Sequence, residues 1–376
     1  MKIIIVGTAY PYRGGLSAFN ERIAQEFQKR GDNVEIYTFT LQYPAFLFPG
    51  KTQFSEEPAP GDLKILRKVN SINPFNWIRT GNEIRKKKPD ILIIKFWIPF
   101  MAPCFGTIER RVRKNRHTRI ISILDNVIPH EKRFADRLLS GYFIRATQAF
   151  VAMSKSVLTD VNLFDKQKPK IFCPHPLYDH YGDIVPRTEA LSLLSLNPEY
   201  HYVLFFGFIR PYKGLDLLIE AFGKESMRKK KVKLIVAGEF YENGEPYLNL
   251  IKKLGLEETI ILHTDFIPNS KVNLYFSACD IVAQPYKTAT QSGVTQIAYH
   301  FEKPMLVTDV GGLSEIVPNG KVGYVVEPDP DEIALALMNY FDNNRQKEFS
   351  DNVKREKRKY LWSNMTAAIF ELYNKI

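Results

Sequence analysis

Two cations three residues apart, Arg210 and Lys213, stand in the stretch FFGFIRPYKGLDLLIEAF, residues 205–222. Phe205 to Phe208 is a short apolar run that suits a buried strand. Arg210, Pro211, Tyr212, Lys213 and Gly214 cannot continue it. From Leu215 the apolar residues Leu215, Leu218, Ile219 and Phe222 recur at helical spacing. The two charges therefore sit where a strand hands over to a helix, the edge at which open α/β sheets bind ligands. Ordinary solvated loop cations would show the same spacing. A second constellation, DNVIPHE at 125–131, places Asp125, His130 and Glu131 directly after the apolar run Arg119 to Leu124. A histidine at a strand end with carboxylates beside it is an active-site candidate, and a lone histidine also serves structure. In the loop GTAYPYRGG, Gly14 and Gly15 let a backbone approach a phosphate closely just before a helix, although a tight turn explains them as well.

The elements that must hold these residues alternate. Lys2 to Val6 reads as a strand. Leu16 to Arg30 reads as a helix with Leu16, Phe19, Ile23 and Phe27 on one face and Gly31 as its stop. Val34 to Phe39 completes a βαβ start. Leu41 to Lys64, aromatic and proline-rich, reads as an irregular excursion. Ile91 to Phe96, Arg119 to Leu124 and Ala149 to Ser154 read as further strands, and Ser154 can cap the helix after it. Lys166 to Asn197 is polar and carries Pro169, Pro174, Pro176 and Pro186, so it reads as the link between domains, with His175 and His180 in it as hinge or cleft residues. The second half repeats the alternation, with strands expected at 202–208, 232–237, 260–262, 281–284, 305–308 and 323–326. Strands alternating with helices imply parallel, doubly wound sheets. The last helix, near Trp362 to Tyr373, has no strand to serve in the second domain.

A chain of 376 residues is long for one core and points to two domains. No run approaches the ~20 apolar residues of a membrane span. MKIIIVG is too short an apolar segment for a signal peptide. Cys104, Cys173 and Cys279 lie far apart without CxxC or CxxH spacing, so neither a disulfide framework nor a cysteine metal site is expected, and a reducing cytoplasm is. The net charge is +11, with clusters at Arg85 to Lys88, Arg110 to Arg119 and Arg228 to Lys233. Nucleic acid, an anionic membrane surface, an anionic ligand or plain solvated helix ends each account for such runs. No zinc-finger spacing, RNP-type strand or helix-turn-helix is visible, so a membrane surface ranks above nucleic acid, which is not expected as a partner.

GFIRPYKGLDLLIEAF resembles the segment of family 4 (group 1) glycosyltransferases in which Arg and Lys hold the donor diphosphate. KVKLIVAG at 231–238 is similar to the next strand, and DFIPNSKVNLYFSACDIVAQPY at 265–286 to the base-binding loop, helix and strand. KPMLVTDVGGLSEIV at 303–317, GYVVEPDPDEIALAL after it, and the N-terminal GTAYPYRGGLSAFNERIAQEF also resemble that family's segments, in its order and over most of the chain. The resemblance implies a GT-B architecture, two Rossmann-like doubly wound parallel-sheet domains facing a central cleft. The N-terminal, acceptor-binding domain is expected over 1–185 and the nucleotide-sugar domain over 186–357, with the helix of 358–376 crossing back to the first. It further implies retaining transfer of a sugar without metal or other cofactor. The donor would be a UDP- or GDP-linked sugar and the acceptor a glycan or a polyprenyl- or lipid-linked glycan. The expected place is the cytoplasm or, peripherally, the inner face of the plasma membrane.

By the same resemblance Arg210 and Lys213 stabilise the departing diphosphate, as preorganised positive charge does. Ser292 caps a helix whose N-terminus faces a phosphate, and Gly293 allows the close approach. Phe266 and Ile267 lie at the nucleobase, and His130 positions the transferred sugar with Asp125 or Glu131 in support. Glu239 and Glu315 are further supports, Glu315 matching the GGxxE pattern. The chain departs from the family at one point. Members carry two Glu eight residues apart where this chain has Ala289 and Ile297, and no acid stands between Gln284 and Phe301. Thr290, Gln291, Ser292, Val294 and Gln296 are the substitutes expected near the donor. An epimerase of the same architecture would need acid and base residues in that stretch. A binding module that lost catalysis with its Glu pair would not. A nicotinamide oxidoreductase is disfavoured because the first loop lacks GxGxxG.

Overall fold

The computed structural model describes residues 1–44, 53–55, 58–128, 135–289 and 292–376. The chain divides into two units, Met1–His175 with Leu361–Ile376, and Pro176–Tyr360. In the first, strands β1 (Lys2–Val6), β2 (Asn33–Leu41), β3 (Lys64–Asn70), β4 (Ile91–Phe96), β5 (Arg119–Leu124), β6 (Ala149–Ala152) and β7 (Lys170–Phe172) form a parallel sheet in the order β3-β2-β1-β4-β5-β6-β7. Helices α1 (Gly15–Lys29), α2 (Pro74–Lys87), α3 (Ala102–Val112), α4 (Asp136–Ala146) and α5 (Lys155–Asn162) connect them. In the second unit β8 (His201–Phe206), β9 (Val232–Ala237), β10 (Ile260–His263), β11 (Ile281–Gln284), β12 (Met305–Thr308) and β13 (Gly323–Val326) form a parallel sheet in the order β10-β9-β8-β11-β12-β13. Its helices are α6 (Arg187–Leu193), α7 (Leu215–Gly223), α8 (Glu225–Arg228), α9 (Glu245–Lys253), α10 (Asn269–Ala278), α11 (Gly293–His300), α12 (Leu313–Ile316), α13 (Pro330–Asp342) and α14 (Gln346–Glu356). A last helix, α15 (Trp362–Tyr373), belongs to the first unit.

Each sheet is covered on both faces, which is why its strands read as continuous apolar runs. In the first unit α2 to α5 contribute Ile84, Phe105, Ile108, Phe143 and Val157 to one apolar layer. The other layer joins Phe19, Ile23 and Phe27 of α1 to Trp362, Met365, Ile369 and Leu372 of α15. Each of those fully buried side chains is worth about 1.5–3 kcal/mol against exposure, so the last helix is a core element of this unit. In the second unit α7, α8, α9 and α13 cover one face and α6, α10 and α11 the other.

Two strands went unread in the sequence, and both are sheet edges. β3, KILRKVN, is partly exposed and charged, and β7 has three residues. An edge strand buries less, so its hydrophobic signal is weak. β7 and α6 both lie inside the proline-rich stretch expected to be a link. Leu177 lies in the core of the second unit and its N–H donates to Tyr360 O at 2.9 Å, which draws the residues after His175 into that unit.

Both sheets reverse their winding between central neighbours. β1 leads into α1 on one face and β4 into α3 on the other. β8 leads into α7 and β11 into α11, again on opposite faces. Such a reversal opens a crevice at the carboxyl ends of the strands. Arg210 and Lys213 follow β8, and Ser292 and Gly293 follow β11. Gly14 and Gly15 follow β1.

Candidate functional site

β8 ends at Phe206, two residues short of the sequence expectation, because Gly207 turns left-handed at φ +94° and Phe208 is exposed. The chain then runs beside the end of β9. Ile209 N–H donates to Glu239 O at 2.9 Å and Tyr241 N–H to Ile209 O at 3.1 Å. Arg210 closes this segment with its guanidinium carbon 3.6 Å from the Tyr241 ring centroid, a cation–π contact that fixes the fork. Pro211–Lys213 form a single 3-10 turn, and Gly214 at φ +67° starts α7. A Cβ on Gly214 would lie 1.9 Å from Pro285 O. Lys287 N–H donates to Tyr212 O at 2.7 Å. The cation loop is thus held by backbone against the segment that leaves β11.

That segment closes the other side. Tyr286 is buried. Its hydroxyl lies 3.1 Å from Ser292 Oγ, and its carbonyl accepts from Thr308 Oγ1 at 2.5 Å. Ser292 caps α11, accepting from Val294 N–H at 3.2 Å. Lys213 reaches between the two sides. Its Nζ lies 5.7 Å from the Tyr286 ring centroid and 3.3 Å from where a Cβ on Gly207 would stand, and Val294 Cγ2 is 4.0 Å from the same point. Any side chain at position 207 would fill the space in front of the ammonium and the first turn of α11. Burial, then the charge of Arg210, lowers the Lys213 pKa to about 8. Among the described residues no carboxylate pairs with Arg210 or Lys213. Two cations beside a capped helix N-terminus, with a glycine between them, bring positive charge and free backbone N–H groups together, the chemistry that suits an anion.

The structure brings together Arg210, Lys213, Ser292, Gly293 and Val294 of the residues singled out in the sequence. Gln296 is buried on α11 with both amide atoms unpartnered, as is Gln284 at the end of β11. Ile297, which stands where relatives of the resembling family carry a Glu, lies in the apolar core, and Ala289 packs against that core. Phe266 is exposed, and Ile267 packs against the core beneath it. Glu239 is exposed and enters the loop through its carbonyl alone, while Glu315 is exposed on α12. Thr290 and Gln291 lie outside the described residues, as do His130 and Glu131.

In the first unit Gly14 precedes α1 at φ +102° with open space beside it, and Gly15 is the first helical residue. Asp125 directly follows β5 and accepts from Lys95 Nζ at 3.0 Å. Lys95 is fully buried, its ammonium 3.3 Å from the Phe19 ring centroid, and burial lowers its pKa while Asp125 opposes the shift. Sequence reading passed over Lys95, Gly207, Tyr241 and Tyr286. A lysine inside the otherwise apolar run ILIIKF was the available signal for the first. The others show themselves only once β8, β9 and β11 are neighbours.

Residues 188–360 match the family model "Glycosyl transferases group 1". An uncharacterized glycosyltransferase of Methanocaldococcus jannaschii, MJ1178, is 26% identical over 100% of this chain and 99% of its own length. O-antigen chain mannosyltransferase C of Escherichia coli is 20% identical over 98% of this chain and 96% of its own. Among solved structures, Anabaena Alr3699/HepE in complex with UDP superposes with a TM-score of 0.73 at 16% identity, covering 100% of both chains.

Proposed function

We propose that this chain, a glycosyltransferase of the group 1 type with the GT-B fold, transfers a hexosyl or N-acetylhexosaminyl group from a nucleoside diphosphate donor to a glycan or a polyprenyl- or lipid-linked acceptor. The transfer retains the anomeric configuration and uses no metal, and it serves cell-surface polysaccharide or glycolipid synthesis in the cytoplasm. The observation that carries the reading is the pair Arg210 and Lys213 at the β8–β11 switch point, without a carboxylate partner among the described residues and facing the N-terminus of α11.

As the glycosidic bond breaks, negative charge grows on the leaving diphosphate. The fork of Arg210 and the point charge of Lys213 stabilise it, together with the backbone N–H groups of the first turn of α11. On this reading the leaving phosphate oxygen takes the acceptor's proton on the same face, so no protein nucleophile is needed. His130 positions the sugar, with Asp125 or Glu131 in support. Gly14 and Gly15 are assigned to the donor phosphates by the same reading. Phe266 and Ile267 border the base, and Thr290, Gln291 and Gln296 meet the sugar or ribose. UDP in the complex of the Anabaena neighbour supports a uridine nucleotide here, with a guanosine nucleotide the alternative.

Arg210→Ala and Lys213→Ala should each cost ~2–4 kcal/mol of transition-state stabilisation, read as lost kcat/KM with a donor first identified by a thermal-shift screen of nucleotide sugars. Full activity in both variants would sink the assignment. Transfer should persist in excess EDTA, and abolition with rescue by magnesium would overturn the metal-free reading. A second reading, a nucleotide-sugar-binding module without catalysis, draws on Ile297 and Ala289 standing in place of an acidic pair. It predicts donor-induced stabilisation with no transfer to any acceptor.

A further inference from the structure

Residues 176–182 open the second unit, ahead of the segment 188–360 that matches the family model. Their backbone is pinned. Leu177 is buried in the core of that unit, and its N–H donates to Tyr360 O at 2.9 Å. The next side chain, Tyr178, packs half-buried against the same core, with the His180 ring edge-on at 5.5 Å. Its own ring lies on Gly293, the first residue of α11. A Cβ on Gly293 would stand 2.9 Å from Tyr178 Cε2, 3.6 Å from Cζ and 3.7 Å from Cδ2. The glycine therefore makes room for a tyrosine.

That contact sets the phenol at the exposed point of the helix start. Ser292 and Val294 are buried, and Gly293 between them is exposed. Cζ, the carbon that carries the hydroxyl, belongs to the ring edge that meets Gly293, so the hydroxyl stands beside the first turn of α11. Lys213 reaches the same turn at the next residue. Its Nζ and Val294 Cγ2 lie 3.3 and 4.0 Å from the point where a Cβ on Gly207 would stand. An ammonium and a phenol thus meet neighbouring residues of one helix N-terminus, where free N–H groups and the helix dipole favour negative charge. A phenol O–H adds a donor there without adding charge. Ala289 and Ile297 present no carboxylate to compete for it.

We propose that Tyr178 is a further donor-contacting residue, its hydroxyl donating a hydrogen bond to a diphosphate oxygen seated at Gly293. The proposal rests on the diphosphate reading of Arg210 and Lys213, and it adds a ligand contact from outside the matched segment. The chemistry selects the acceptor atom: beside an ammonium and a helix N-terminus, an anionic oxygen is the partner that a phenol donor meets best. A tyrosine that only covered the helix end would need its ring and not its hydroxyl, and phenylalanine would replace it without loss.

The full chain and its variants are to be titrated calorimetrically with UDP and with GDP. Wild type should bind at least one of them. Tyr178→Phe keeps the ring, so its melting temperature without ligand should equal that of the wild type, while its affinity for the bound nucleotide should fall about tenfold, as for loss of one hydrogen bond to a charged oxygen. Tyr178→Ala should bind within about threefold of Tyr178→Phe, since the hydroxyl carries the contact. Arg210→Ala tests the underlying reading separately. Wild-type affinity in Tyr178→Phe, with Arg210→Ala weakened, overturns this proposal and leaves the diphosphate reading standing. So does a loss seen in Tyr178→Ala and not in Tyr178→Phe, which would make the ring a structural cover. Unchanged affinity in Arg210→Ala, or no binding of either nucleotide by the wild type, overturns the diphosphate reading and this proposal with it.

Discussion

On the proposed reading, Lys213 gives the donor site a pH limit of its own. Its ammonium is buried beside Arg210 with no acid among the described residues to offset either effect, and its pKa in the unliganded protein is lowered to about 8. At pH 7 about nine-tenths of the molecules carry the charge, and at pH 9 about one-tenth do. If the charged form is the one that receives the diphosphate, kcat/KM should fall about tenfold per pH unit above pH 8, since that parameter reports the free enzyme. Bound donor restores the charge by placing phosphate oxygens against it, so kcat should stay level to higher pH than kcat/KM does. Two variants assign the limb. Arg210→Ala removes the second cause of the lowered pKa and should move the limb upward. Lys213→Arg stays charged throughout and should abolish the limb, at lower activity because a fork does not replace a point charge. The assay is initial-rate transfer from pH 6.5 to 9.5 at fixed ionic strength. A flat wild-type kcat/KM over that range, or an unchanged limb in Lys213→Arg, refutes the reasoning.

The same lysine should cost stability in the empty protein. A lysine whose folded pKa lies below its unfolded value adds stability only above about pH 10.5 and loses it as pH falls through about 8. Lys213→Met should therefore raise the unliganded Tm at pH 7 while erasing the Tm rise given by donor. Glu109 has the opposite sign. It is fully buried among Thr147 and Ser122 hydroxyls, and burial pushes its pKa up to about 8. Its contribution is present below about pH 4.5 and is lost as pH rises through 8, so Glu109→Gln should raise Tm at pH 8.5 and flatten the dependence between pH 5 and 8.5, by scanning calorimetry. Gly214→Ala should destabilise by about 2 kcal/mol or more in urea melts, since a left-handed residue gains a Cβ against Pro285 O.

What could be read before the fold was known follows burial. Strands Lys2–Val6, Ile91–Phe96, Val232–Ala237, Ile281–Gln284 and Met305–Thr308 are continuous apolar runs because helices cover both of their faces, and their limits match the structure. β3 and β7 stayed hidden because an edge strand offers charged or few residues. At the site, Arg210, Lys213 and the Ser292 cap are visible as local chemistry. Gly207, Tyr241 and Tyr286 are not, because their relevance arises from strands 30 to 80 residues apart in sequence meeting as β8, β9 and β11. Lys95 is a different case. Its oddity is local, but its partner Asp125 becomes a neighbour only through the β4–β5 pairing.

The parts of the site held by backbone and those held by side chains divide sharply. Gly214 touches Pro285 O, a Cβ on Gly238 would lie 2.3 Å from Gly207 O, and Lys287 N–H grips Tyr212 O. These contacts set where Arg210 and Lys213 stand whatever the side chains around them are. In the segment after β11 and on α11, by contrast, the positions where members of the family it resembles carry acids hold Ala289, packed against the core, and Ile297, within it. A cradle built from backbone tolerates that exchange, because no side chain lost from it was holding the cations. The exchange also removes the acids that would repel a diphosphate or neutralise its partners. The positive charge of Arg210 and Lys213 is then offset by nothing from 284 to 301 in sequence. Such a site should recognise the diphosphate more strongly than the sugar. Its selectivity among donors sharing one nucleotide should therefore be weaker than its selectivity for diphosphates over monophosphates, which competition by nucleoside mono- and diphosphates against a set of nucleotide sugars measures directly.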